Sequence, residues 1–119
     1  MSDSPAGVTL SFGDGATLHE RVAAGLRRTL RDEEVQPGME LPTAGQVAEH
    51  LGVNVNTALR AYRALASEGL VELRRGHGPR VLQPPEMVRV HELANELARE
   101  AARQGLSRGE LVALVLDHG

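Results

Sequence analysis

Apolar residues at every fourth position predict a helix over about residues 17–32. A short N-terminal arm precedes this helix. The helix begins with Thr17-Leu18-His19-Glu20, which matches a capping box: the threonine accepts from a backbone N–H and the glutamate bonds back to the cap. Its predicted buried stripe consists of Leu18, Val22, Leu26 and Leu30. Before it, Val8, Leu10 and Phe12 alternate with polar residues, a pattern that predicts a short strand ending at a Gly-Asp-Gly turn.

Two further helices are predicted to be joined by a tight turn. A second capping box, Thr43 with Gln46, begins a helix over about residues 44–51, and Gly52 is placed to end it in the left-handed conformation. Asn54 then caps a third helix that extends to about Glu68. The side facing the core is predicted to consist of Ala58, Ala61, Tyr62 and Leu65, and the opposite side of Asn56, Leu59, Arg60 and Arg63. Two helices joined in this way, with a basic stripe on the second, are typical of a helix-turn-helix.

A basic hairpin is predicted after the third helix. Residues 70–73 and 81–82 have strand character, and the segment between them contains Arg74, Arg75, His77 and Arg80. Gly76 and Gly78 permit positive φ and remove side-chain bulk, so the backbone can approach another polymer closely.

The last third of the chain is predicted to form two more helices. The first opens at Pro84-Pro85 and ends at Gln104-Gly105, with Val88, Leu93, Leu97 and Ala101 or Ala102 available for burial. The second follows the capping box of Ser107 and Glu110 and is very apolar. A helix pair this small cannot enclose its own core, so it must pack on the preceding module or on another copy of itself.

These elements predict a mainly α fold with a small β-hairpin. The expected organisation is a partly flexible N-terminal arm over residues 1–16, a winged helix-turn-helix domain over residues 17–83, and a two-helix dimerisation tail over residues 84–119. A length of 119 residues suits one domain with an appendage.

Composition narrows the possible functions. The chain has no Cys and only two aromatic residues, Phe12 and Tyr62, which argues against thiol chemistry, Cys-ligated zinc and base-stacking platforms. The five His have no metal-ligand spacing and no catalytic motif is present, so we expect neither an enzyme nor a cofactor or metal.

Without a membrane span or secretory signal, a cytoplasmic location is expected. Any small-molecule effector would bind between subunits, because the tail is too short to wall a pocket.

The net charge of −3 hides one basic segment. Residues 54–83 carry five Arg against two Glu, a balance of +3, whereas residues 1–36, 37–53 and 84–119 are each at −2. The basic segment coincides with the predicted third helix and hairpin. This coincidence favours binding to nucleic acid.

Several motifs in fixed order resemble the GntR family of bacterial transcription factors, over about residues 17–82. They are Leu41-Pro42-Thr43, Leu51-Gly52-Val53-Asn54-Val55-Asn56-Thr57, Arg60-Ala61-Tyr62, Glu68-Gly69-Leu70-Val71 and Arg75-Gly76-His77-Gly78. The Asn-x-Asn-Thr and Arg-Ala-Tyr elements and the two-helix tail resemble the YtrA-like subfamily in particular. The resemblance implies a winged-helix DNA-binding domain, a homodimer formed through the C-terminal helices, and repression of an operon that often encodes an ABC transporter.

The chain departs from the family pattern at three positions where relatives often carry a DNA-contacting arginine, namely Gly45, Val55 and Leu59. No operator sequence can therefore be transferred. We expect base reading by Asn54, Asn56, Thr57 and Arg60, since Asn pairs with adenine and Arg with guanine in the major groove. Phosphate contacts are expected from Thr43 and Arg63, and contacts along the backbone and minor groove from the hairpin residues Arg75, Gly76, His77, Gly78 and Arg80.

The preferred hypothesis is a sequence-specific regulator, and more precisely a repressor, that binds a pseudo-palindromic DNA operator as a homodimer. The expected dimer contacts are Leu93, Leu97, Leu111, Leu114 and Val115. One alternative is a winged-helix adaptor that has lost specific DNA binding and acts through its apolar tail. A second alternative, a nucleoid-type binder, would show steep salt dependence without sequence preference.

Overall fold

The computed structural model describes residues 7–32 and 35–119. Over these residues the chain forms five helices and two short strands: α1 (Leu18–Asp32), α2 (Ala44–Leu51), α3 (Val55–Ser67), β1 (Val71–Glu72), β2 (Arg80–Val81), α4 (Pro85–Arg103) and α5 (Arg108–His118). The strands pair antiparallel, with Val71 opposite Val81 and Glu72 opposite Arg80. The predicted fold class, mainly α with a small hairpin, is confirmed.

Side-chain caps set the starts of α1, α2, α3 and α5, whereas α4 begins after Pro84 without one. The boxes at α2 and α5 are complete: Thr43 Oγ1 accepts from Gln46 N–H at 3.1 Å, and Ser107 Oγ accepts from Glu110 N–H at 3.1 Å. At α1 only half of the predicted box forms. Thr17 Oγ1 accepts from the Glu20 N–H, but the Glu20 carboxylate accepts from the N–H of Ala16 instead of that of Thr17.

The core lies where α1 packs against α3, with α2 and β1 also packed on α3. From α1 it takes Val22, Leu26 and Leu30, and from α3 it takes Ala58, Ala61, Tyr62 and Leu65. Leu18, predicted as part of the buried stripe, is instead 44% exposed, because it lies in the first turn of α1, beyond the core cluster.

The strand predicted at Val8, Leu10 and Phe12 is wrong, because this segment joins no sheet. Val8 and Leu10 are nevertheless buried in the core. The segment lies along α1, where Thr29 Oγ1 donates to Thr9 O at 2.6 Å. Packing on a helix therefore produced the alternation that resembled a strand. The rest of the predicted arm, residues 1–6, lies outside the described residues.

Close approach of this segment to α1 depends on Gly25. A Cβ built at Gly25 would lie 1.7 Å from Ser11 O, a backbone atom that cannot turn aside. We expect Gly25→Ala to lower the free energy of unfolding by about 1–3 kcal/mol, the usual cost of overpacking. Gly45→Ala is the matched control, since this helical glycine has only Thr43 Oγ1 nearby, at 3.8 Å. In urea denaturation the control should gain about 0.5–1 kcal/mol from helix propensity. Equal effects of the two substitutions would contradict the packing argument.

The segment before α2 is joined to the hairpin by a single β-bridge, which the sequence pattern did not predict. Glu40 forms an isolated antiparallel bridge with Arg80. The bridge is flanked by backbone hydrogen bonds from Val81 N–H to Met39 O and from Leu41 N–H to Pro79 O, both at 2.8 Å. The hairpin is thereby fixed to the start of the helix-turn-helix.

The C-terminal helices are only partly buried. Val88 and Ala101 are the buried residues of α4, and α5 has none. Leu93 and Leu97, predicted to be available for burial, are 46% and 39% exposed in the single chain. The N-terminal half of α4 is held to α1 by an ion pair between Arg31 and Glu92 at 2.6 Å. Among the described helices, none is long and apolar enough to cross a membrane.

Candidate nucleic-acid interface

The helix-turn-helix consists of α2, a tight turn and α3. Gly52 ends α2 with φ +70°, in the left-handed region that favours glycine. Asn54 begins α3, its Oδ1 accepting from the N–H of Asn56 at 2.7 Å. The Asn54 side chain is therefore used as a cap, although it remains exposed.

Tyr62 holds α3 in place against the start of α2. Its hydroxyl donates a buried 2.6 Å hydrogen bond to Pro42 O. Burial raises the pKa of Tyr62, so the phenol stays protonated as a donor. Sequence reasoning placed Tyr62 in the buried stripe but missed this contact. A lone tyrosine at a buried helix position was the available signal, since buried tyrosine hydroxyls usually have a partner.

The solvent side of α3 carries Asn56, Arg60 and Arg63, which we call the recognition face. They are spaced i, i+4 and i+7, so they lie along one side of the helix, and all three are exposed. Their side chains make no hydrogen bond or ion pair with any other residue that the structure describes. Thr57 lies beside them and is half-buried. The amide and guanidinium groups of this face are therefore available to an external partner.

Some residues of the hairpin are exposed to solvent, whereas others form ion pairs within the chain. Arg75, Gly76 and His77 are exposed, and Gly76 has φ +76°. Arg74 pairs with Glu40 at 3.3 Å, and Arg80 pairs with Glu72 at 2.6 Å across the two strands. Arg80 is thus partly neutralised, whereas Arg75 has no acidic partner in the described part of the chain.

Gly78 does not lie on the outer surface of the hairpin. It is buried, its N–H donates to Glu40 Oε2 at 3.1 Å, and a Cβ would lie 1.8 Å from Leu41 O. Of the two hairpin glycines, Gly76 adopts a positive φ and Gly78 does not. Glycine is needed here for close packing, so we remove Gly78 from the expected contact surface. Glu40, which organises this packing, was not singled out by sequence reasoning, and the sequence offered no signal for its role.

The two acidic side chains within the basic segment, and that of Glu40, are already paired. The Glu68 carboxylate, at the end of α3, is buried and bonded to Arg27 of α1, with Arg27 Nε to Glu68 Oε1 at 2.8 Å. This hydrogen bond raises the pKa of Arg27. Glu72 and Glu40 are paired with Arg80 and Arg74. The positive charge of the segment is consequently presented by Arg60, Arg63 and Arg75.

Thr43 is half-buried at the N-terminus of α2. Its hydroxyl oxygen accepts in the capping box, so the hydroxyl proton can still be donated to a phosphate.

An exposed polar stripe on the second helix of a helix-turn-helix, beside a basic hairpin, defines a winged-helix DNA-binding domain. The family described as "Bacterial regulatory proteins, gntR family" matches residues 18–81, and the chain belongs to this family. It is a transcriptional regulator with a DNA-binding helix-turn-helix. The family consists of transcriptional regulators, which confirms the prediction that the chain is not an enzyme.

Curated relatives agree with this assignment. The chain is 33% identical over 89 residues to the HTH-type transcriptional regulator YhcF of Bacillus subtilis, covering 75% of this chain and 72% of YhcF. It is 31% identical over 97 residues to the HTH-type transcriptional regulator Rv1152 of Mycobacterium tuberculosis, covering 81% of this chain and 80% of the relative. The repressor YtrA of B. subtilis is 30% identical over 61 residues, which span 51% of this chain and 47% of YtrA.

Solved structures share the fold over most of the chain. A GntR family transcriptional regulator from Listeria monocytogenes superposes with a TM-score of 0.58 at 20% identity, covering 89% of this chain and 98% of the other. YtrA from Sulfolobus acidocaldarius, a GntR-family transcription factor, gives a TM-score of 0.55 at 22% identity, covering 92% and 93%. The resemblance to the GntR family, with YtrA among the relatives, is confirmed.

Proposed function

We propose that the protein is a repressor that binds a pseudo-palindromic operator as a homodimer, with residues 17–83 contacting DNA and residues 84–119 forming the dimer. The observation that carries the proposal is the recognition face of α3, which is exposed, polar and without partners among the described residues. The proposed site of action is the cytoplasm, at the nucleoid when the protein is bound. No cofactor is part of the proposal.

Base reading is assigned to the N-terminal half of α3, the part of a recognition helix that contacts base edges. In this proposal Asn56 bonds adenine N6 and N7, and Arg60, one turn further on, bonds guanine O6 and N7. Thr57 and Asn54 flank them, although Asn54 is also occupied as a helix cap. Each bidentate pair discriminates by about 1–3 kcal/mol against a wrong base.

Phosphate and minor-groove contacts are assigned to Thr43, Arg63 and the hairpin residues Arg75, Gly76 and His77, with Arg80 contributing less because Glu72 offsets its charge. Arg side chains suit a narrow A/T-rich minor groove. Within the basic segment, Arg60, Arg63 and Arg75 have no acidic partner among the described residues, so a dimer would neutralise about four to six phosphates. The proposal therefore includes weak binding to nonspecific DNA.

Dimerisation is assigned to the apolar face shared by α4 and α5. Leu93, Leu97, Leu114 and Val115 are 39% to 47% exposed, and Leu111 is half-buried. Leu97, Leu114 and Val115 also line an open groove of about 470 Å³ between the helices. A second copy related by a two-fold axis would cover this face and form a four-helix arrangement. Such a dimer presents two recognition helices about one or more turns of DNA apart, hence the pseudo-palindrome.

Mobility-shift titration of the full chain against promoter fragments from its own genomic neighbourhood tests the proposal. We expect one fragment to shift at a concentration at least a thousandfold below that needed for unrelated DNA, the usual lower bound for specific binders. Equal binding to all fragments with steep salt dependence would support a nucleoid-type protein instead. Absence of binding to any fragment would favour the adaptor hypothesis.

The salt dependence of operator binding should be set by the number of phosphates that Arg60, Arg63 and Arg75 contact. We expect a plot of log K against log salt concentration to have a slope of about −4 to −5, and Arg75→Ala to make it less steep by about 2, because each dimer loses two phosphate contacts. Fluorescence anisotropy at several salt concentrations measures both. Arg28→Ala, an exposed arginine on α1, is the control and should leave the slope unchanged. An unchanged slope in Arg75→Ala would remove the hairpin from the interface.

A further inference from the structure

Beside the recognition face, α3 carries two apolar side chains that the core does not use. Val55, the first residue of α3, is 50% exposed. Leu59, one turn later, is half-buried but lies outside the core cluster and is not packed against it. Val55 and Leu59 are spaced i, i+4, so they form one ridge, which we call the apolar edge.

The apolar edge lies about 100° around the helix from the ridge of Asn56 and Arg60, since consecutive helical residues are offset by that angle. Both ridges begin in the first turn of α3, which also carries the exposed Asn54 cap. A major groove that encloses the N-terminal half of α3 at Asn56 and Arg60 would therefore also lie beside Val55. The positive charge of Arg60 and Arg63 on the same helix makes DNA, rather than an apolar protein surface, the complementary occupant.

The major groove offers one apolar group to such an edge, the C5-methyl of thymine. We propose that Val55 is a specificity-determining residue that contacts a thymine methyl next to the adenine bonded by Asn56, with Leu59 extending the apolar contact. This inference rests on the proposed function and adds the base that its recognition helix reads through apolar contact. Because the Val55 side chain has no hydrogen-bonding group, it would distinguish bases through apolar contact.

Replacing thymine by uracil tests the inference, because it removes the methyl and leaves the Watson–Crick pairing and every hydrogen-bonding group intact. An operator is first selected from a random duplex library with the full chain, and each thymine is then replaced singly and symmetrically by uracil. We expect one position per half-site at which affinity falls about fourfold per methyl, and about fifteenfold when both half-sites are changed.

The variant Val55→Ala should bind the thymine and uracil operators equally, at about the affinity of the wild-type protein for the uracil form. Val90→Ala is the matched control, because Val90 is a helical valine of nearly the same exposure, 52%, on α4. Any effect of that control on dimerisation changes both affinities together, so the thymine-to-uracil ratio should remain that of the wild type.

The inference is overturned if no thymine position responds, or if the response persists in Val55→Ala. In either case the proposed function stands as long as the selected operator is bound in an Arg60-dependent manner. Failure to select any operator overturns both. A Val55→Ala variant that retains the wild-type ratio but changes oligomeric state would place the apolar edge at a protein contact instead.

Discussion

Arg60→Ala is expected to abolish operator recognition, lowering affinity for the operator by about thirtyfold or more. The dimer loses one bidentate base contact in each half-site, and two such contacts contribute together about 2–6 kcal/mol of discrimination. The fold should be unaffected, because Arg60 is exposed and has no partner among the described residues. Mobility-shift or anisotropy titration against the operator and a scrambled duplex measures the effect.

Arg60→Lys separates base reading from charge. Lysine keeps the positive charge but lacks the planar fork that bonds two acceptors at once, so this variant should keep the wild-type salt slope while losing most of the preference for the operator. Arg28→Ala again serves as the control and should match the wild type. Full operator preference in Arg60→Ala would mean that α3 does not read bases through this side chain.

Leu114→Glu is expected to convert the dimer into monomers and to lower operator affinity by about two to four orders of magnitude. Leu114 lies on the apolar face of α5 beside the mostly apolar groove that it shares with Leu97, and burying a carboxylate there when a second copy covers the face costs free energy. Loss of the dimer removes the gain in affinity that comes from linking two half-site contacts, which is commonly 10²–10⁴. Sedimentation velocity and operator titration on the same samples measure both consequences.

Leu116→Glu is the matched control for the dimer prediction. Leu116 is 73% exposed and lies about 200° around α5 from Leu114, away from the groove. It should remain dimeric and bind the operator normally. If both variants become monomeric, the shared face includes the opposite side of α5. If neither does, the apolar face serves another partner, as the adaptor hypothesis requires.

Most of the secondary structure was predictable because its signals are local. Helices α2 and α5 begin where a hydroxyl and a carboxamide or carboxylate three residues later exchange hydrogen bonds with the backbone, and those pairs are readable in sequence. The buried and solvent sides of α3 follow from helical periodicity and were predicted correctly at Ala58, Ala61, Tyr62 and Leu65. The net charge of successive stretches of the chain likewise located the basic segment at residues 54–83.

The wrong predictions concern contacts between residues far apart in the chain. The alternation at Val8 and Leu10 arises from packing on α1, which no local pattern distinguishes from a strand. The β-bridge at Glu40 was missed because its partner lies forty residues away at Arg80. Gly78 was predicted to let the hairpin backbone approach DNA closely, whereas the backbone that it approaches is that of Leu41 in the same chain.

The amino-acid sequence by itself determined the order of elements, the faces of α3 and the location of the positive charge, because capping, periodicity and composition act within a few residues. Only the tertiary structure decided which of the basic groups remain available. Arg74 pairs with Glu40 and Arg80 with Glu72, and Glu68 is buried against Arg27, while Arg60, Arg63 and Arg75 have no acidic partner among the residues that the structure describes. Ion pairing depends on distances between side chains that the fold brings together, and linear spacing does not encode those distances.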